Sequence, residues 1–90
     1  MQGAEKFAAL ARQAAEVYDA ACAFALCVPL ADQAKDRERL AARALELLRQ
    51  AVALGYKDVA HMKKDTDLDA LRQRDDFRKF LLELEKSLPK

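Results

Sequence analysis

The sequence predicts an all-α protein, and three observations support this prediction. Ala and Leu supply most of the apolar residues, which make up 52% of the 90-residue chain. Both are strong helix formers, as are the abundant Arg, Lys, Gln and Glu, whereas the residues that favour strands are few. The chain contains only two Gly and two Pro, so it has little material for tight turns. Apolar residues also recur at three- and four-residue spacing, which is the period of an α-helix.

The first helix is predicted within residues 1–28, from about Ala4 to Cys27. Pro29 ends it, because the residue before a proline is pushed out of the helical conformation. The longest apolar run has twelve residues (20–31), while a membrane span needs about 20, so we expect no membrane insertion. The apolar positions of this helix repeat at helical spacing: Phe7, Leu10, Ala14, Val17, Tyr18, Ala21, Phe24 and Ala25.

The second helix is predicted over residues 36–55, after a connecting loop at residues 29–36. Asp36 is the expected N-cap, because its carboxylate can accept hydrogen bonds from the free N–H groups of the first turn. Gly55 is the expected residue after the helix, where a left-handed backbone is common, and Tyr56 is expected to pack on the last turn. The apolar stripe of this helix consists of Leu40, Ala44, Leu47, Leu48, Ala51 and Leu54.

Residues 57–88 are predicted to form a C-terminal extension of shorter helices. Lys57 to Lys63 has the length of two turns and would bury Val59 and Met62. Acidic residues from Asp65 onward can cap a further short helix that would bury Leu68 and Leu71. A final helix is expected to open at Asp75 and Asp76, to bury Phe77, Phe80, Leu81, Leu84 and Leu88, and to end at Pro89. No linker divides the chain, so residues 1–90 are expected to form one domain.

The charge balance argues against nucleic-acid binding. Sixteen basic residues stand against fifteen acidic ones, and the net charge is +1, which is far from the concentrated positive field that nucleic acids require. The N-terminus lacks a basic segment followed by an apolar core, so no secretory signal is expected. We therefore expect a cytoplasmic protein.

The chemically reactive residues do not form a catalytic or metal-binding pattern in the sequence. Cys22 and Cys27 lie five residues apart, on different faces of the predicted helix, which suits neither a disulfide nor a zinc knuckle. The single His61 and the single Ser87 have no partners at a telling spacing. Alternating acids at Asp65, Asp67 and Asp69 (first, third and fifth positions) lack the glycine and glutamate of a calcium loop. We expect no enzyme activity, no cofactor and no metal.

Residues 17–56 resemble a tetratricopeptide repeat, a pair of antiparallel helices that stacks into a superhelix. Val17, Ala20, Ala21 and Phe24 match the packing positions of its first helix, and Ala44, Leu48 and Ala51 match those of its second. The segments 18–26 and 44–58 also resemble a divergent terminal repeat. Residues 62–72, with Asp76-Phe77 after them, resemble its trailing segment, although Thr66 and Ala70 replace two prolines. Such repeats end tetratricopeptide arrays in large bacterial proteins, many of which resemble serine/threonine protein kinases.

This resemblance implies an interaction module that binds a peptide or a partner protein. In tetratricopeptide domains the first helix of each pair lines a groove, and here its equivalents are Tyr18, Asp19, Cys22 and Leu26. Asp19 would repel a peptide carboxylate, so a carboxylate clamp is not expected. Two alternatives remain open: a structural cap of a repeat array or a dimerisation element, formed through the Ala-rich first helix, and a regulatory part of a bacterial signalling kinase. Tyr18 and Cys22 can also serve simply as core residues.

Overall fold

A computed structural model of the chain describes the backbone of residues 2–87 and the side chains of residues 12–87. Four α-helices follow one another: α1 (Gln2–Cys27), α2 (Ala34–Ala53), α3 (Val59–Lys64) and α4 (Asp75–Ser87). Two 3₁₀ elements lie between them, Val28–Leu30 and Thr66–Leu71, and the latter is called the 3₁₀ segment below. No strand occurs in residues 2–87, so the all-α prediction is confirmed. Within that range, no helix combines the length and apolarity needed to cross a lipid bilayer.

Helices α1 and α2 pack against each other as a helical hairpin that forms most of the core. Alanines at the contact allow the two backbones to approach closely, and Leu48 lies fully buried between the helices. Larger side chains from the C-terminal elements complete the core, because α3, the 3₁₀ segment and α4 each bury apolar residues in the same cluster. The hairpin part of this cluster comprises Tyr18, Ala21, Cys22, Ala25, Val28, Ala41, Ala44, Leu45, Leu47, Leu48 and Ala51.

The connection between α1 and α2 is shorter than the sequence suggests. Pro29 does interrupt the α-helix, but residues Val28–Leu30 continue as a single 3₁₀ turn. Helix α2 then begins at Ala34, with the extended Gln33 before it, so the predicted N-cap at Asp36 is wrong. The backbone carbonyl of Gln33 already accepts hydrogen bonds from the N–H groups of Asp36 and Arg37. Asp36 therefore lies in the first turn, where its charge still complements the helix dipole.

Helix α2 ends in the way its sequence predicts. Gly55 has a φ of 111°, in the left-handed region that favours glycine. The N–H of Gly55 donates to the carbonyl of Val52, and the N–H of Tyr56 donates to the carbonyl of Ala51, each at 2.9 Å. This pair of bonds is a Schellman motif, which satisfies two carbonyls left free at the helix end. The Tyr56 side chain leaves this turn and meets α1 instead.

The short C-terminal elements are held by caps and by buried apolar side chains. Asp58 precedes α3 and its carboxylate accepts a 3.0 Å bond from the His61 N–H. Arg72 donates to the carbonyl of Asp65 at 2.6 Å and so joins the end of α3 to the end of the 3₁₀ segment. The predicted burial of Val59, Met62, Leu68 and Leu71 is confirmed.

Helix α4 adds its apolar stripe to the same core cluster. Phe77, Phe80 and Leu84 are buried as predicted, whereas Leu81 is only half-buried, because it lies at the margin of the stripe. The expectations for the side chains of Phe7 and Leu10, and for Leu88 and Pro89, lie outside the described residues.

A bidentate ion pair links the start of α4 to α2. The Arg74 guanidinium donates to both carboxylate oxygens of Glu38, at 2.6 and 2.8 Å, and also to Asp76 at 2.9 and 3.0 Å. These bonds to Arg74 lower the pKa of both carboxyl groups below their ordinary values. Planar two-point pairing of this kind fixes orientation as well as distance. The contact therefore sets the direction in which α4 leaves the 3₁₀ segment.

We expect the Arg74 pairs to stabilise the protein at neutral pH and to lose this effect in acid. Both carboxyl groups have folded pKa values below their unfolded values, which are about 4. The stabilisation is thus complete above that range and disappears as the pH falls through the folded values. Urea unfolding of Arg74→Gln should show a lower free energy of unfolding than wild type at neutral pH, with a gap that narrows below about pH 4.

The matched control is Arg78→Gln, since Arg78 is more exposed and its nearest carboxylate, on Asp75, lies 3.9 Å away. This variant should stay close to wild type at both pH values, because exposed pairs contribute little. A constant gap between Arg74→Gln and wild type from neutral to acid pH would contradict the expectation.

Candidate functional site

Two of the four residues predicted to line a groove on α1 are buried. Tyr18 and Cys22 lie one helical turn apart on the same face and are 4% and 6% exposed. The 3₁₀ segment and the residue before it, Asp65, pack over this face. The other two residues, Asp19 and Leu26, are exposed. The structure therefore separates the four residues into a covered pair and an exposed pair.

Asp65 accepts hydrogen bonds from the covered pair. The Tyr18 hydroxyl donates to Oδ2 at 2.6 Å, and the Cys22 thiol donates more weakly to the same oxygen at 3.6 Å. The other oxygen, Oδ1, accepts a 3.0 Å bond from the N–H of Asp67 and so caps the 3₁₀ segment. Burial opposes ionisation of this carboxyl, but the bonds from Tyr18, Asp67 and Cys22 outweigh it and lower its pKa.

Two further side chains complete what is called the Asp65 cluster below (Tyr18, Cys22, Tyr56, His61 and Asp65). The His61 Nε2 atom lies 3.3 Å from Asp65 Oδ2. The ring of Tyr56 stacks on that of Tyr18, with centroids 4.2 Å apart and planes 9° from parallel. His61 approaches the same Tyr18 ring at 5.7 Å. The cluster thus joins α1 to the turn after α2, to α3 and to the residue that caps the 3₁₀ segment.

The Asp65 cluster links secondary-structure elements through hydrogen bonds, and its thiol is not a nucleophile. Burial, reinforced by the neighbouring Asp65 carboxylate, raises the pKa of the Cys22 thiol to about 12. Burial and the bond to Asp65 also raise the pKa of the Tyr18 hydroxyl. A thiol attacks as its thiolate, so Cys22 is protonated and unreactive at neutral pH. Tyr18 likewise keeps its proton and acts as a hydrogen-bond donor.

A concave surface, called the α2–α4 groove below, lies between α2 and α4. It has a volume of about 250 Å³ and opens to solvent. Val52, Phe80 and Leu84 give it an apolar lining, and Arg49 and Glu83 stand on it with opposite charges. The Arg49 guanidinium lies 5.7 Å from the centroid of the Phe80 ring, in cation–π contact. A volume of this size can accept one or two large side chains.

Exposed apolar side chains mark the end of the hairpin. Leu26 is 50% exposed near the C-terminus of α1, and Leu30 is 78% exposed in the 3₁₀ turn that follows. Asp19 lies two turns before Leu26, on the same exposed side of α1. Single exposed leucines are ordinary on a protein surface, but two of them within one turn give this end an apolar character.

The sequence does not reveal which residues contact Tyr18 and Cys22. The sequence predicts a helix-capping role for Asp65 and gives His61 no partner, and it connects neither residue to α1. The capping role is confirmed by the Asp67 N–H bond. The second role has no sequence signal, because 47 residues separate Tyr18 from Asp65. The α2–α4 groove was also missed, since it depends on how α4 docks.

No family model, curated protein or solved structure matches this chain. The likeness to tetratricopeptide repeats consequently rests on the residues quoted for it in the sequence. Any functional conclusion therefore depends on the geometry of the Asp65 cluster and of the α2–α4 groove.

Proposed function

We propose that this chain is a non-catalytic protein–protein interaction module, a terminal tetratricopeptide-type unit that binds a peptide or a partner protein. The observation that supports the proposal is the open α2–α4 groove, which combines an apolar lining with two charged side chains. Grooves of this composition suit an amphipathic helix or an extended peptide that inserts an apolar anchor. The charges of Arg49 and Glu83 can then select the orientation of the partner.

The Asp65 cluster supports a structural role for the α1 face that the tetratricopeptide likeness would place in a groove. A ligand could reach Tyr18 and Cys22 only if Asp65 and the buried Leu68 moved away, and that would expose apolar core. Asp19 and Leu26 remain accessible on α1. The α2–α4 groove is therefore the better candidate surface, and the exposed pair on α1 is the second.

The test is affinity capture from cells with the wild-type chain and a groove variant, Arg49→Ala with Glu83→Ala. We expect a protein that the wild type enriches to be lost with this variant, with a reduction of at least about tenfold in affinity for the purified partner, since each tenfold corresponds to only about 1.4 kcal/mol. The matched control is Arg43→Ala with Glu46→Ala, an exposed pair 3.1 Å apart on α2. Circular dichroism checks that all variants remain folded.

The other outcomes separate the alternatives. Loss of the partner with Asp19→Ala and Leu26→Ser, but not with the groove variant, would move the site to α1. Capture of the chain's own copies, lost with the α1 variant, would favour the dimerisation element, which the exposed Leu26 and Leu30 also support. Capture of nothing, or of the same weak background, by wild type and both variants would contradict the module proposal and favour a structural cap.

A further inference from the structure

Helices α2 and α4 run in the same direction, and the α2–α4 groove lies between their C-terminal halves. Near the start of both helices, Arg74 forms its ion pair with Glu38. Further along both helices, the Arg49 guanidinium lies 5.7 Å from the centroid of the Phe80 ring. Because the second contact lies closer to the C-terminus of each helix, α2 and α4 end at the same end of the groove.

The shared direction of the two helices gives one end of the groove a partial negative charge. Val52 belongs to the last turn of α2, and Leu84 and Ser87 belong to the last turn of α4. The aligned peptide dipoles of a helix leave a partial negative charge at its C-terminus and a partial positive charge at its N-terminus. A third helix in the groove is therefore favoured when it runs antiparallel to α2 and α4.

The groove offers few groups that can pair with an extended peptide backbone. Val52, Phe80 and Leu84 make its lining apolar, and the Ser87 hydroxyl already donates to the carbonyl of Leu84 at 2.8 Å. No strand edge occurs in residues 2–87 to which an extended chain can add. A helix satisfies its own backbone N–H and C=O groups along its length. The groove therefore suits a helix better than an extended segment.

Two opposite charges flank the apolar lining. Arg49 on the α2 wall and Glu83 on the α4 wall are exposed. Among the side chains of residues 12–87, neither one forms an ion pair, with the other or with a third residue. A guanidinium can bind a carboxylate through two parallel hydrogen bonds, and a carboxylate accepts from a lysine or arginine. The groove thus presents one site for an acid and one for a base on opposite walls.

We propose that the α2–α4 groove binds one amphipathic helix of a partner protein, antiparallel to α2 and α4. The apolar stripe of this helix inserts one or two large side chains, spaced three or four residues apart. An acidic residue on one flank of the stripe pairs with Arg49, and a basic residue on the other flank pairs with Glu83. This inference rests on the interaction role proposed above for the groove, and it adds the conformation, direction and charge pattern of the partner.

The experiment is selection of displayed peptides by the purified full chain. The probe is a library of alanine-rich peptides of about 15 residues, a length at which such helices begin to be stable. Apolar positions vary among leucine, isoleucine and phenylalanine, and flanking positions vary among glutamate, lysine and alanine. We expect selected peptides to carry glutamate on one flank and lysine on the other. They should bind the wild type at least about tenfold more tightly than the charge-swapped variant, Arg49→Glu with Glu83→Arg.

The charge-swapped variant should select peptides in which the two flanking charges are exchanged. The matched control is Arg43→Glu with Glu46→Arg, which exchanges the charges of an exposed pair on α2 outside the groove. This control should select the same peptides as the wild type. A nitroxide at the N-terminus of a selected peptide should broaden the amide NMR signal of Ser87 more than that of Phe77, and the opposite pattern would overturn the antiparallel direction.

The remaining outcomes distinguish this inference from the proposed function. Selected peptides without a charge preference, or the same peptides from wild type and charge-swapped variant, would overturn the charge pairing. If no peptide is selected but a cellular partner is still lost with Arg49→Ala and Glu83→Ala, the helix inference fails and the interaction module stands. A wild-type dimer in sedimentation that Arg49→Glu alone abolishes and the charge swap restores would make a second copy the occupant, and would also overturn the inference.

Discussion

Replacing Tyr18 with serine should reduce the free energy of unfolding by about 3–5 kcal/mol, as truncation of a buried aromatic residue does. The side chain is 4% exposed, its ring stacks on Tyr56 at 4.2 Å, and its hydroxyl donates to Asp65 at 2.6 Å. The substitution removes the ring from the core and leaves Asp65 with one donor fewer. Urea unfolding followed by circular dichroism measures the change.

Two companion variants show which part of Tyr18 is responsible. Tyr18→Phe keeps the ring and loses the hydroxyl, so it should cost only about 1–3 kcal/mol through the missing bond to the part-buried Asp65 carboxylate. Tyr56→Ser, at the more exposed partner of the stacked pair, should cost less than Tyr18→Ser. A change of less than about 1 kcal/mol for Tyr18→Ser would show that the ring is not a core residue. The groove role predicted from the sequence would then regain support.

Replacing Phe77 with alanine should lower the stability of the whole chain by about 3–5 kcal/mol in a single transition. Phe77 is 1% exposed and is the largest fully buried side chain among the described residues. It belongs to the same apolar cluster as the hairpin. If residues 1–90 are one cooperative domain, as the sequence predicts, loss of this contact must destabilise the hairpin as well as α4. Urea midpoints from far-ultraviolet circular dichroism and from near-ultraviolet tyrosine signals should therefore fall together.

The matched control lies on the same helix. Leu82 is 58% exposed, and Leu82→Ala should change stability by less than about 0.5 kcal/mol, as exposed substitutions usually do. Separate transitions in Phe77→Ala, with an unchanged midpoint for the hairpin, would show that α4 is an independent unit. The single-domain prediction would then be wrong.

The sequence predicts the helical elements well because their signals are local. The apolar period identifies α1, α2 and α4, and Gly55 marks the end of α2 by the same conformational freedom that the structure uses. The start of α2 is less clearly determined by local sequence signals. Several residues between Leu30 and Asp36 are compatible with helix, and hydrogen bonds to the Gln33 carbonyl decide where it begins.

The candidate site was predicted less well because it depends on how distant elements dock. Helical spacing places Tyr18 and Cys22 on one face of α1, and the structure confirms that they share it. The same spacing does not say whether that face meets a partner or the chain's own C-terminal segment. Asp65 brings the C-terminal segment onto that face, and it lies 43 residues from Cys22 in the sequence. No propensity or local motif relates residues so far apart.

The turn at Gly55 shows what a single position can require of an amino acid. A Cβ atom built on Gly55 would meet nothing within 4 Å, although the φ of 111° lies where L side chains are rare. Position 55 therefore requires a residue that tolerates a positive φ, and the free space around it sets no requirement on the size of a Cβ substituent. A mirror-image alanine would suit both the backbone angle and the free space, and would also restrict the unfolded chain more than glycine does. Of the twenty genetically encoded residues, only glycine adopts this positive φ without strain.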